Sequence, residues 1–157
     1  MSAPLESGPW PVDFSIRLAH IGVIVERIDA AGSLCARLGL SETGRMAFPQ
    51  ENIRIAFIPV EGVRIELMET LEPAGPLHRF LTDRGEGIHH LAFEVPNLEA
   101  ALARVREAGG RLIDETPRRG SEGTRVAFIH PASTHGVLIE LVERPRGARP
   151  FDPVPPP

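Results

Sequence analysis

The chain has 157 residues, 42% of them hydrophobic and 24% charged, and a formal net charge of −4, which suits one globular domain with an ordinary core. The acidic balance without a basic stripe argues against nucleic acid as a partner, and no apolar run reaches the roughly 18 residues of a membrane-spanning helix. The lone Cys35 rules out an internal disulfide, and the first residues lack a basic stretch followed by an apolar one, so a reducing cytoplasmic setting is expected.

Residues 1–16 carry several prolines and little periodicity, and read as an irregular arm with Trp10 and Phe14 as possible anchors. The spacing then predicts a strand over 17–25 and a helix over 28–38, which Gly39 ends. A weaker strand follows over 42–47. Two more, over 53–60 and 63–68, are joined by a turn at Glu61-Gly62. The segment 73–86 holds a short helix over 76–83, with Pro76 in its first turn. A strand from Ile88 comes next, then a helix over 98–108 that Asn97 caps and Gly109-Gly110 ends. Strands over 111–115, 125–130 and 136–142 complete the pattern. The tail over 144–157 is rich in Pro and Arg, buries too little to fold alone, and reads as disordered.

This order is one unit written twice. His20-Ile21-Gly22-Val23 returns as His90-Leu91-Ala92-Phe93, Arg54-Ile55-Ala56-Phe57-Ile58 as Arg125-Val126-Ala127-Phe128-Ile129, and Val63-Arg64-Ile65-Glu66-Leu67 as Val137-Leu138-Ile139-Glu140-Leu141. Such a repeat marks one supersecondary unit used more than once. The expected fold is α+β: two tandem βαβββ modules, 17–72 and 87–143, within a single domain over 17–143.

Strand alternation assigns faces. Ile21, Val23 and Val25 oppose His20 and Gly22, and Leu91, Phe93 and Val95 oppose His90 and Ala92. Glu66 and Glu140 oppose their apolar neighbours in the same way. Each module thus has a greasy face for its helix and a second face carrying one His and one Glu beside a small residue. Two such faces together point four ligands, His20, Glu66, His90 and Glu140, into a shared cleft. Any one of them alone is more readily a structural residue. What favours the metal reading is the recurrence of both residue types in one register. Two imidazoles and two carboxylates suit a divalent first-row ion such as Co, Ni, Zn, Mn or Fe, acting as a Lewis acid on a carbonyl. His89 belongs to the opposite face by alternation and reads as structural. His78 and His135 read as solvated or loop residues, and His130 as a strand-end cap or a substrate contact. Glu69 and Glu143 read as solvent-facing or paired with Arg.

The paired module with its His/Glu, His/Glu set resembles the vicinal oxygen chelate superfamily of glyoxalase I, extradiol dioxygenases and bleomycin-resistance proteins. The runs Arg84-Gly85-Glu86-Gly87-Ile88-His89-His90-Leu91-Ala92-Phe93-Glu94-Val95, Arg125-Val126-Ala127-Phe128-Ile129-His130-Pro131 and Gly136-Val137-Leu138-Ile139-Glu140-Leu141 resemble methylmalonyl-CoA epimerases most. The resemblance covers about residues 17–143. It implies a curved mixed sheet around a metal cleft, usually in a homodimer, and metal ligation by His20, Glu66, His90 and Glu140, often with cobalt. It implies an acyl-CoA thioester substrate, epimerised through an enolate, with Glu140 matching the carboxylate that moves the proton. Glu66 falls where some members have Gln. The opposite-face carboxylate of some members falls at Ile55, or at Arg54 with a one-residue slip, and neither is a base; Glu51 is near in sequence but off register. Ala132 stands where the family often has Lys, which leaves an anion contact to Arg118 or Arg119.

A glyoxalase-I-type lyase uses the same ligand types, so the ligands do not separate it from an epimerase; the runs over 85–95 and 136–141 favour the epimerase. A dioxygenase fits less well, since non-haem iron sites use two His and one carboxylate. A metal-free protein that sequesters a small molecule is the reading from a different class, and the complete ligand set argues against it.

Overall fold

The repeat folds into two copies of one topology. The computed structural model describes residues 15–148; most of the expected N-terminal arm and of the Pro-rich tail lie outside the described residues. The elements are β1 (Arg17–Ile24), α1 (Ile28–Arg37), β2 (Gly44–Phe48), β3 (Ile53–Val60), β4 (Val63–Thr70), α2 (Gly75–Arg84), β5 (Gly87–Glu94), α3 (Leu98–Glu107), β6 (Arg118–Arg119), β7 (Arg125–Ile129) and β8 (Ile139–Glu143). All eight strands form one curled mixed sheet in the order β2-β3-β4-β1-β5-β8-β7-β6. Within each module the first strand pairs in parallel with the last, β1 with β4 and β5 with β8. Parallel neighbours need a crossover, and the intervening helix and hairpin supply it. The two modules meet where β1 and β5 run antiparallel at the centre of the sheet.

The greasy faces are filled as the alternation requires. Ile28 of α1 packs with Val25, Ala56, Ile58 and Leu67, and Leu98 and Leu102 of α3 pack with Val95, Ala127 and Leu141. Two smaller clusters line the other face, Ile53, Ile55, Phe57 and Met68 in the first module, and Ala92, Val126 and Val142 of the second module together with Ala19 of β1. Cys35 is partly buried against the first helix cluster. Glu69 and Glu143 have a specific task. Each leaves the end of its module's last strand and accepts a hydrogen bond from the first helical N–H, Ile28 N at 2.8 Å and Leu98 N at 2.6 Å. These N–H groups have no partner inside a helix, and satisfying one contributes about 1 kcal/mol.

The second module departs from expectation twice. The strand expected over 111–115 shrinks to one bridge, Leu112 to Ile129, and the edge strand is β6 instead. Pro117, which has no N–H to donate, separates the two pieces. The strand expected from Gly136 starts only at Ile139. His135 and Gly136 sit at φ of 53° and 93°, a turn conformation that no strand can include.

The central ladder carries two bulges. Leu18 pairs with Phe93 and His20 with Ala92, which leaves Ala19 as the extra residue; Gly22 pairs with His90 and Val23 with Ile88, which leaves His89 extra. A bulge re-aims a side chain relative to simple alternation. Here it brings His89 to the same cleft as His90, so the face that alternation assigns to His89 is corrected.

Candidate metal centre

The four predicted residues occupy two cross-sheet rows. In one row Gly22 on β1 lies between Glu66 on β4 and His90 on β5. In the other Ala92 on β5 lies between His20 on β1 and Glu140 on β8. The small central residue in each row lets the flanking side chains converge above it. At Gly22 this is obligatory, because a Cβ built there would stand in the His90 ring. All four side chains are buried.

Three of them meet. His20 Nε2 lies 2.9 Å from Glu140 Oε2, His90 Nε2 lies 3.2 Å from the same oxygen, and the two nitrogens are 3.0 Å apart. Hydrogen bonds cannot satisfy all three edges. If both nitrogens carry protons, two donors face each other; if either lacks one, its lone pair faces the carboxylate oxygen. A cation held by all three donors, out of their plane, would resolve the conflict. Bonds of about 2.1 Å at right angles put ligand atoms about 3.0 Å apart, so the spacing fits a divalent ion.

Glu66 stands beside this triangle. Its Oε1 is 3.6 Å from His20 Nδ1 and accepts a hydrogen bond from Arg64 Nη2 at 2.6 Å. Arg64 is itself buried, with its guanidinium 4.5 Å above the Phe57 ring and a bidentate pair to Glu122 at 2.9 and 2.7 Å. Glu122 belongs to the turn Ser121–Gly123, whose Ser121 lines the cleft.

Burial alone would push the Glu140 carboxyl up, but hydrogen bonds from His20 and His90 and their charges hold it at about 2. Burial pulls the His20 imidazole down, yet the Glu66 charge and the Glu140 contact outweigh it and leave it above its ordinary value. His89 is held at about 4 by burial and by the neighbouring His90.

The cleft encloses about 100 Å3, and its walls include Glu51, Ile55, Met68, Arg118, Ser121 and Phe128. Ile55 lines it, as the register with the family implies, and Glu51 reaches it from the 3-10 turn Pro49–Glu51. A larger cavity of about 410 Å3 shares His89 and His90 as a wall and is bounded by Phe80, Arg84, Ile88 and Val137. Of the other imidazoles, His130 accepts from Ala132 N at 3.1 Å and caps a turn, and His78 sits half-buried on α2 beside Thr82. Sequence reasoning missed the roles of Arg64 and His89; an Arg two residues before a strand Glu, on the same face, was the available signal for the first.

A curled sheet of two βαβββ modules with His and Glu converging from both defines a class of paired-module proteins with a central cleft. The chain belongs to the glyoxalase/bleomycin resistance protein/dioxygenase superfamily, whose family model matches residues 19–128. It is 39% identical over 132 residues to the uncharacterized protein YqjC of Bacillus subtilis, covering 83% of this chain and 94% of that one. It is 33% identical over 128 residues to an ethylmalonyl-CoA/methylmalonyl-CoA epimerase of Cereibacter sphaeroides, covering 80% and 96%. A solved Streptomyces coelicolor methylmalonyl-CoA epimerase, in complex with 2-nitronate-propionyl-CoA, superposes with a TM-score of 0.77 at 31% identity, covering 83% and 95%.

Proposed function

We propose that this protein is an isomerase that epimerises methylmalonyl-CoA, or a related 2-substituted malonyl-CoA, by moving the proton at C2 through an enolate. The donor triangle of His20, His90 and Glu140 in the wall of a cleft sized for a small acyl head is the observation that carries the reading. In this reading those three residues, completed by Glu66, hold a divalent ion, cobalt first and nickel, zinc or manganese as alternatives. When bound, such an ion supplies Lewis acidity that makes the C–H beside a thioester carbonyl easier to ionise.

The chain's own residues do the rest. Arg118 and Ser121, both on the cleft wall, suit the free carboxylate of the substrate. Glu140, ionised throughout the physiological range, exchanges the C2 proton on one face of the enolate, and inversion needs a second acid–base group on the other face. Glu51 is an exposed carboxylate that also lines the cleft and suits the opposite face of C2, the role that Ile55 cannot fill. Ile55, Met68 and Phe128 keep water from the carbanion. The thioester arm is too large for a cleft of about 100 Å3, and the adjoining 410 Å3 cavity offers it apolar walls and the Arg84 cation. A homodimer is part of the same reading, and sedimentation checks it.

The test is proton exchange. Metal-loaded protein is incubated with (2R)-methylmalonyl-CoA in D2O, and deuterium at C2 and configuration are followed together. Wash-in with inversion, lost in Glu140→Gln, is expected. No exchange with metal bound would overturn the reading and turn attention to the hemithioacetal substrate of a glyoxalase-type lyase.

A further inference from the structure

Each imidazole of the triangle presents Nε2 to the centre and Nδ1 away from it. What stands behind Nδ1 differs between the two modules. Behind His20 it is the Glu66 carboxylate, at 3.6 Å. Behind His90 it is another imidazole, with His89 Nδ1 at 3.0 Å from His90 Nδ1.

A neutral imidazole has one N–H and one lone pair. For His90 Nε2 to offer its lone pair to the centre, the proton must sit on Nδ1, and the group facing Nδ1 must accept it. Two neighbouring histidines on a regular strand point to opposite faces and cannot make this contact. The bulge at His89 in the β1–β5 ladder is what allows it. The His89 ring is further held edge-on by Phe80 of α2, at 4.8 Å between centroids and 76° between planes. The equivalent bulge residue in the first module is Ala19, which offers no polar group. The site is therefore built unsymmetrically on a symmetric frame, with an acid behind one imidazole and a second imidazole behind the other.

We infer that His89 is a positioning residue. It accepts the His90 Nδ1–H through its own Nδ1, and so fixes both the tautomer and the ring plane that direct His90 Nε2 at the metal centre. The direction and purpose of this hydrogen bond rest on the metal reading above; the 3.0 Å contact itself does not.

Two variants separate the acceptor from the bulk. In His89→Asn the amide oxygen falls close to the place of Nδ1, so an acceptor remains. In His89→Leu the bulk remains and the acceptor goes. Nitrogen-15 imidazole spectra of the Zn2+-loaded protein read the contact directly, because the Glu140 carboxylate then no longer competes for a proton on His90 Nε2. The His90 Nδ1–H is expected to be protected from exchange and coupled through the hydrogen bond to His89 Nδ1 in the wild type, to stay protected in His89→Asn, and to exchange freely in His89→Leu. Calorimetric titration with Co2+ is expected to show His89→Leu binding about 10- to 100-fold more weakly, the usual effect of losing such a partner, and His89→Asn within a few-fold of wild type. A freely exchanging His90 Nδ1–H in the loaded wild type, or one equally protected in His89→Leu, would overturn the assignment while leaving the metal reading intact. If His89→Leu does not fold, the wild type and His89→Asn decide it. If calorimetry shows the wild type binding neither Zn2+ nor Co2+, the metal reading falls and the positioning role with it.

Discussion

Gly22→Ala adds one methyl group at the most crowded point of the sheet. The new Cβ would stand 2.5 Å from His90 Nδ1 and 2.7 Å from Nε2, whereas comfortable contact begins at about 3.5 Å. The ring must therefore withdraw by about 1 Å. Little room exists behind it, because His89 lies 3.0 Å from Nδ1 and the Phe128 ring stands edge-on with centroids 5.6 Å apart. Overpacking of this kind costs about 1–3 kcal/mol, which for a chain of this size lowers Tm by roughly 3–10 °C. The larger effect falls on the metal, since a nitrogen moved by about 1 Å no longer reaches a bond length of about 2.1 Å. Loss of one properly placed ligand predicts at least about 100-fold weaker Co2+ binding, at the upper end of the effect of losing an outer-shell partner. Thermal unfolding and calorimetric titration measure the two effects separately. Ala92→Gly, at the matching position of the other row, is the control, with Co2+ affinity within a few-fold of wild type. Wild-type affinity and Tm in Gly22→Ala would refute the row geometry on which the site is argued.

Metal-free protein should be most stable near pH 6.5. Glu140, held at about 2 against an ordinary 4.5, stabilises fully above pH 4.5 and loses that contribution as pH falls toward 2. His89, held at about 4, adds to the loss between pH 6.5 and 4. His20, raised above 6.5, stabilises fully below that value and loses its share as pH rises through its folded pKa. A series of Tm values against pH checks the shape, and a metal ion that replaces the His20 proton should flatten the alkaline side. Arg64→Met leaves the buried Glu66 without its guanidinium and Glu122 with only Arg144 at 3.9 Å, and should cost about 3–5 kcal/mol in urea unfolding. Adding Glu66→Gln and Glu122→Gln to it should recover most of that loss; a cost under about 1 kcal/mol for Arg64→Met alone would refute the buried network.

Much of this architecture was legible because it is written twice. The recurrence of His20 at His90 and of Glu66 at Glu140 marks the cleft face in the sequence itself, and the shared apolar alternation marks the helix faces. What escaped were the places where the ladder stops being regular. Alternation assumes one residue per step, so it put His89 on the wrong side of the sheet; the bulge depends on the pairing with β1, which no single strand reveals. Glu69 and Glu143 read as solvent-facing or paired with Arg; they do pair, with Arg54 and Arg125 at 3.4 Å each, but their capping of α1 and α3 follows from how each module closes on itself. The strand expected over 111–115 failed because apolar residues in a row do not guarantee a partner: Ile113 is half exposed, and Asp114 ties the segment to Phe128 N by its side chain.

The antiparallel seam between β1 and β5 has a consequence for the molecule as a divisible object. One triangle donor comes from the N-terminal module and two from the C-terminal one, and the single connection between them runs through α2. Severed in that connection, the halves would have to find each other through the β1–β5 ladder, the Arg64–Glu122 pair and the small cluster around Ala19. An ion bound by His20 on one piece and by His90 and Glu140 on the other would then act as a bridging ligand of the heterodimer. Free metal concentration, by mass action, would set the fraction of reassembled pieces. The intact chain replaces that dependence with a tether, whose effective concentration is of the order of millimolar, so the halves stay together whether or not the ion is present.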